Sequence, residues 1–312
     1  MKLIKSILLF TCLVLGCGSV LLAQQKGQAV PGPIDLNVSA VSDPGDTSVN
    51  SRVTPTLATN GELPAAGQSA APASGIDLSG TEDDDQWHFA VSPYLWFPWV
   101  HGTVGAFGHD ASFSVTPSEL LSHARFGLLG AVEARRNRIL SPIDMMWLNL
   151  KATQALPFPG QLATSASVTA NVFILTPKVG FRVINQDRFK ADFFTGIRYF
   201  HFGETLNFSP SPLGLNFSKS QNWVDPLVGG RIQADFSQKT MITIAGDVGG
   251  WGTGSQMDYQ VVALLGYKLK PNWTLQGGYR YLYFDREKGG PAGATANLAM
   301  SGIVMGVTMN LR

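Results

Sequence analysis

Five histidines, His88, His101, His109, His123 and His201, are the side chains of this 312-residue chain best suited to acid–base work near neutral pH. Two of them sit in pairs that could do chemistry. His109-Asp110 could form an acid–base unit, and Ser122-His123 could supply a nucleophile and its base. Neighbours in sequence rarely face one another, so each pair needs a distant third group, and the sequence names none. The run Gly249-Gly250-Trp251-Gly252-Thr253-Gly254 is glycine-rich. It has no lysine and opens no helix, so it reads as a strand-to-loop turn rather than a phosphate loop. The acidic run Glu82-Asp83-Asp84-Asp85 reads as solvated charge, because four adjacent acids cannot all turn toward one calcium ion. No His/Asp/Glu cluster has metal-ligand spacing, and Cys12 and Cys17 both precede the folded part of the chain. The expectation is a protein that is not an enzyme, with no catalytic residue, metal or cofactor.

The elements that position these residues follow from composition. Lys2 and Lys5 precede an apolar run from Ile7 to Leu22, followed at once by Gln24, Gln25 and Lys26. This is the layout of a secretory signal peptide over 1–23, cleaved after Ala23. A rival reading is lipidation at Cys17, since Val14-Leu15-Gly16-Cys17 resembles a lipobox, although the apolar run continues past it. Residues 24–85 hold no Phe, Trp or Tyr and are punctuated by proline. Such a segment buries too little apolar surface to offset its ordering entropy, so a disordered arm is expected. Every aromatic residue except Phe10 follows Asp85, which marks 86–312 as the folded domain. Charged residues are only 14% of the chain and the net charge is +1, which gives nucleic-acid binding no electrostatic support.

Within 86–312 the pattern alternates. Trp273, Leu275, Gly277, Tyr279, Tyr281 and Tyr283 share one face, against Thr274, Gln276, Gly278, Arg280 and Leu282. The segments 189–199, 224–236 and 259–269 repeat the pattern, with charge confined to one face. Trp87 and Phe97, Phe189 and Tyr199, and Trp273 and Tyr283 are each ten residues apart on the apolar face. Ten tilted residues climb about 25 Å, the height of the apolar band between the aromatic girdles of a membrane barrel. Short turns near 136–138, 185–188, 237–239 and 270–272 alternate with longer connections near 98–124, 153–166, 204–221, 251–256 and 286–296. The expected architecture is an all-β, transmembrane, antiparallel up-and-down β-barrel of about ten strands, with eight or twelve as alternatives. Residues 102–115 read as a hairpin extending outside the membrane, followed by a helical turn at 118–123; the count is twelve if that hairpin instead crosses the bilayer. Inward alternation places Glu133, Arg135, Lys178, Asp192, Arg198, Asp225, Arg231, Asp247, Asp258, Lys268 and Arg280 in the lumen. Both signs are interspersed, so they are expected to pair, with Arg198, Arg231 and Arg280 bridging carboxylates.

The segments Ser92-Pro93-Tyr94-Leu95-Trp96-Phe97-Pro98, Gly102-Thr103-Val104-Gly105, Ser118-Glu119-Leu120-Leu121, Glu133-Ala134-Arg135-Arg136 and Gly277-Gly278-Tyr279-Arg280-Tyr281 resemble those of porin-like outer-membrane β-barrel proteins of Gram-negative bacteria. The resemblance covers 86–312 and brings no catalytic residue with it. It implies a bacterial outer-membrane location with the arm in the periplasm, contact with outer-membrane lipid, and delivery by the barrel-assembly machinery. Small solutes are a further implied partner. Barrels of this group end in an aromatic residue, whereas this chain ends Met309-Asn310-Leu311-Arg312. Two functions compete: a structural or surface-interaction protein with a narrow, charge-lined lumen, and a passive small-solute pore. An outer-membrane enzyme is the distant third.

Overall fold

The computed structural model describes residues 85–106, 109–155, 165–209, 216–288 and 294–311. The signal segment, the arm and Glu82-Asp83-Asp84 of the acidic run lie outside these residues. The elements are β1 (Trp87–Ala106), β2 (His109–Val115), α1 (Pro117–His123), β3 (Ala124–Arg136), β4 (Ile139–Ala155), β5 (Ser165–Asn185), β6 (Phe189–Ser209), β7 (Asn216–Asp235), β8 (Thr240–Gly250), β9 (Met257–Lys270), β10 (Trp273–Lys288) and β11 (Ala294–Leu311).

From β3 to β11 each strand pairs antiparallel with the next in the chain, and β1 pairs antiparallel with both β3 and β11, the latter from Phe89↔Leu311 to Ala106↔Ala294. That last ladder closes the sheet. Closure satisfies the backbone of both edge strands, which a bilayer requires because it offers no water to do so. Ten strands, β1 and β3 to β11, form the wall. β2 is an eleventh strand that folds back on the far half of β1, from Val100↔Val115 to Ala106↔His109. β1 meets β3 only from Trp87↔Arg136 to Pro93↔Gly130. Pro93 has no N–H to extend that ladder, and α1 joins β2 to β3 beyond it.

The strands outrun the spans read from the sequence. β1 continues to Ala106, β6 to Ser209, and β7 begins at Asn216. Much of what reads as loop at 204–221 is thus paired strand, while within 98–124 the hairpin and the helical turn expected there are present as the β1–β2 pair and α1. Polar composition hides these extensions, because both faces of a strand that has left the bilayer can be polar. At the opposite end the turns are tight. Asn137 turns β3 into β4 with φ 57°, a left-handed conformation that asparagine tolerates. At the long-loop end the β8–β9 connection, Trp251–Gln256, is compact too. Gly250, Trp251 and Gly252 all have positive φ there, so the glycine run makes a turn, as its composition suggests. The two ends are called below the short-turn end and the long-loop end.

The outer surface is apolar. Leu95, Val179, Val228, Ile232, Val261, Leu265, Leu275 and Ile303 are all exposed, far beyond the patch a water-soluble monomer carries. Aromatic rings cluster on it: Phe126 against Trp147 at 5.0 Å, Phe173 against Tyr199 at 6.2 Å, and Tyr259 against Tyr283 at 5.0 Å. Trp87 and Trp273 are exposed, and Phe97, Phe189, Tyr199 and Tyr283 half-buried on the same side of the sheet. Among the described residues no helix is long and apolar enough to cross a membrane.

Candidate functional site

The interior divides into two layers, and each long strand passes from one to the other at the same level. Inward positions of β6 run Asp192, Phe194 and Arg198 and then Phe200 and Phe202 toward the long-loop end. β10 gives Arg280 and then Leu282 and Phe284. β4 gives Asp144 and then Met146 and Leu148. β5, running the other way, gives Val172 and Ile174 and then Thr176, Lys178 and Arg182. The period of two aims these side chains inward, and strand register sets their height.

The charged layer consists of three ion-paired clusters. In the first, the Arg198 guanidinium lies between Asp247, at 2.6 Å, and Asp258, while Lys178 Nζ reaches the other oxygen of Asp247 at 2.5 Å. Arg198 and Asp258 are fully buried, and Arg198 Nε also donates to Thr176 Oγ1 at 3.3 Å. In the second, Asp192 takes Arg182 and Arg231, both at 2.8 Å, and Arg231 also binds Glu133 at 2.5 and 3.1 Å. The Phe194 ring lies 5.3 Å from the Arg231 guanidinium and folds over Gly180, where a Cβ would overlap it. In the third, Arg280 binds Asp144 at 2.9 Å, Tyr94 Oη at 2.6 Å and Gln260 Oε1 at 2.6 Å, with its guanidinium over the Trp96 ring at 4.9 Å. Tyr94 in turn donates to Asp144 at 2.9 Å. In each cluster cations and carboxylates match in number, two to two, two to two and one to one. That balance is what makes burial tolerable, since an unpaired charge in a low-dielectric interior is costly.

Asp225 differs from the paired charge expected of it. It is fully buried, and the groups that bind it are neutral donors: the Ser255 N–H and hydroxyl, both at 2.6 Å, and the Trp223 indole N–H at 3.2 Å. Gly254 has no room for a Cβ, which would overlap the Asp225 carboxylate. Lys268 pairs with Asp235 at 3.0 Å near the short-turn end, and Arg135 lines a cavity there. Three members of the clusters escaped the sequence reading. Arg182 shares inward parity with Lys178, so its signal was present. Asp144 and Tyr94 alternate inward too, but nothing in their own segments marks them as partners of Arg280.

Below the charged layer, a polar cavity of about 440 Å³ opens at the short-turn end, lined by Glu133, Arg135, Lys190, Lys268 and Gln276 among others. Above it, the apolar layer fills the lumen. Phe200 and Leu282 are wholly buried, and Ile174, Met146 and Phe284 nearly so. Phe200 stacks on Trp223 at 4.7 Å, and Phe284 closes on both.

The pairs singled out for chemistry fare differently. The His109 and Asp110 side chains lie outside the described residues. Ser122 and His123 do touch, Oγ to Nδ1 at 2.9 Å, against the expectation that neighbours turn apart. Both also contact the Glu119 carbonyl, each at 2.8 Å, which places them at the end of α1. The serine and the carbonyl meet the same ring nitrogen, Nδ1, whereas a triad places the serine on one ring nitrogen and a carboxylate on the other. At the start of α1, Glu119 accepts from the Thr116 N–H at 2.9 Å, which with the Thr116 hydroxyl holds its carboxyl below the usual glutamate range. His201 lies on the outer face, bonded to Asn222 at 2.6 Å. Asp85 pairs with Arg136 at 2.9 Å. Among the described residues no group of three His, Cys, Asp or Glu is arranged to hold a metal ion.

No protein-family model and no curated protein matches the sequence. Solved structures do. The outer-membrane protease OmpT from Escherichia coli aligns at 10% identity over 75% of this chain and 100% of its own, with a TM-score of 0.50. The transport unit of the Escherichia coli autotransporter AIDA-I aligns at 7% identity over 76% and 94%, with a TM-score of 0.39. The attachment invasion locus protein Ail of Yersinia pestis aligns at 9% identity over 72% and 99%, with a TM-score of 0.31. At these identities the likeness carries the fold alone. This chain is a closed, ten-stranded barrel of the Gram-negative outer-membrane kind, and its apolar belt belongs in the bacterial outer membrane.

Proposed function

We propose that this barrel is closed to solutes and serves as a structural and surface-interaction protein of the outer membrane. The observation that carries the reading is the stacking of two filled layers across one narrow lumen. Three balanced ion-pair clusters lie under an apolar plug of Phe200, Trp223, Leu282 and Phe284. Eight strands enclose a space that side chains just fill, and ten add little width. A selective pore would present one sign of charge to water, whereas here the cations and anions spend their charge on each other.

On the same reading the short-turn end faces the periplasm, the arm of residues 24–85 is periplasmic too, and the signal of 1–23 is removed. The long-loop end faces outward. The lipid boundary runs along Trp87, Phe189 and Trp273 on one side and Phe97, Tyr199 and Tyr283 on the other. Outer-membrane lipid and, during biogenesis, the barrel-assembly machinery are its partners. No residue is assigned a catalytic role.

The test is solute flux through proteoliposomes holding the refolded barrel, checked for heat-modifiable migration on a detergent gel. The vesicles should not swell in small sugars or amino acids above the rate of empty liposomes. Swelling at the rate of a general porin would establish a pore. The polar cavity of about 440 Å³ at the short-turn end is the one feature that favours this second reading, a passive small-solute pore.

A further inference from the structure

A second cavity lies in the apolar layer at the long-loop end. It is walled by Trp96, Met146, Phe202 and Met300 of the barrel and roofed by Phe113 of β2 and Leu120 of α1. The hairpin and helix that depart from plain barrel topology are thus the elements that cover it. Its volume is about 160 Å³, and an apolar cavity of about 150 Å³ elsewhere takes up benzene.

Two polar groups interrupt this apolar surface, and neither is complete. Glu204 is only 8% exposed, and its Oε2 is buried with no hydrogen-bond partner. Trp96 is 6% exposed, and its indole N–H is buried without an acceptor. Lys219 stands opposite Glu204 in the β6–β7 ladder and, with Arg286, lines a smaller adjoining cavity of about 70 Å³. His123 and Asn171 are the other polar residues around the larger cavity. A carboxyl oxygen sealed in apolar surroundings without a donor costs free energy. Such a cost is retained where something else supplies the donor, and the apolar wall beside it defines what that something is like.

We propose that this cavity is a binding site for a small molecule with an apolar body the size of one ring and a single hydrogen-bond donor, an amine or a hydroxyl, which Glu204 receives. The apolar body supplies affinity by leaving water, and the donor supplies selectivity by completing the carboxyl. The site neither needs nor excludes a closed lumen, so the two readings fail in different experiments.

The experiment uses the barrel in lipid nanodiscs with ¹³C-methyl-labelled methionine. Met146 and Met300 report from inside the cavity, while Met257 and Met305, exposed on the outer face, report partition into lipid. Toluene, benzyl alcohol and benzylamine are titrated in turn. Benzyl alcohol or benzylamine should shift Met146 and Met300 saturably, at least about tenfold tighter than toluene. Glu204→Leu should bring all three ligands within about threefold of one another. Glu204→Gln keeps an acceptor, so it should spare benzyl alcohol and weaken benzylamine, and it covers the case in which the leucine variant does not fold. Shifts confined to Met257 and Met305 would overturn the proposal. So would toluene binding as tightly as the other two in the unmodified barrel.

Discussion

The two halves of the lumen solve opposite problems. In the half toward the short turns the inward charges gather, and they are partnered across the barrel: Glu133 with Arg231, Asp144 with Arg280, Asp247 with Lys178 and Arg198. In the half toward the long loops, apolar side chains dominate, and the few polar groups are left incomplete, as at Glu204 Oε2 and Trp96 Nε1. The first half balances its charges within the chain, although Asp258 Oδ2 and Arg280 Nε are themselves buried without a hydrogen-bond partner. Its cost was desolvating the charges, and pairing offsets it within the chain. The second half is stable as an apolar plug yet carries polar atoms that only an added group completes. Filling a barrel for closure and filling it for recognition leave different marks: carboxylates ion-paired across the lumen in one half, and in the other a carboxyl, Glu204, set in an apolar wall with an oxygen that nothing bonds.

Breaking the charged half should give the largest effect. Arg198→Met leaves Asp247 short of one partner and Asp258 without its cation, in a fully buried site. A loss of about 3–5 kcal/mol is expected, read as a lower midpoint for heat-modified migration or urea unfolding. If the midpoint does not move, the cluster is not what holds this half together. Breaking the apolar half at Phe200→Ala should cost about 3–4 kcal/mol, through lost contacts and the cavity left beside Trp223 and Phe284. The two variants should differ in salt response: added salt should leave the Phe200→Ala midpoint unaltered relative to the unmodified barrel.

A third comparison sets inside against outside. Ile303→Arg puts a charge on the exposed apolar face and should cost about 2–4 kcal/mol near the bilayer midplane. Gln276→Arg turns its charge into the polar cavity and should cost under about 1 kcal/mol. Equal losses would mean the two faces are wrongly assigned. Gln260 is unsuited to this test, since it accepts from Arg280 at 2.6 Å and an arginine there would confront a buried cation.

The smallest effect concerns pH at the cap of the long-loop end. Glu119 is held below the usual glutamate range by the Thr116 N–H and then by its hydroxyl. A depressed folded value means the stabilisation of α1 is present above the ordinary glutamate pKa and is lost as pH falls through the depressed one. Protection of the Thr116 amide, its exchange rate relative to the intrinsic rate at the same pH, should therefore fall as pH drops through the depressed Glu119 value, and Glu119→Gln should remove that fall. Protection that does not change with acid in the unmodified chain would contradict the capping role.

Much of this was legible in the chain, and the reason is periodicity. Alternation in 189–199 and 273–283 was enough to aim Arg198 and Arg280 inward, because a closed barrel has only two faces. Where partners sit was not legible. Glu133 and Arg231 are 98 residues apart and meet across the lumen, a distance set by barrel circumference and stagger rather than by any local pattern. Arg182 could have been found by extending the parity of Lys178. Glu204 could not, since a lone acidic residue in a stretch that reads as loop looks solvated until β6 is seen to continue past it to Ser209. The cover made by β2 and α1 was half legible: Thr116 to Glu119 spells a capping box, but nothing in 102–123 says which cavity the hairpin roofs.

The central claim is that side chains seal the lumen, and single-channel recording in planar bilayers tests it most directly. The unmodified barrel should give little or no conductance. A variant carrying Phe200→Ala and Phe284→Ala, which removes two rings of the plug while leaving the ion pairs, should leak in brief, flickering steps. A large, steady conductance in the unmodified protein, unchanged by those two substitutions, would show that ions pass through an open pore and that the two layers line it rather than close it.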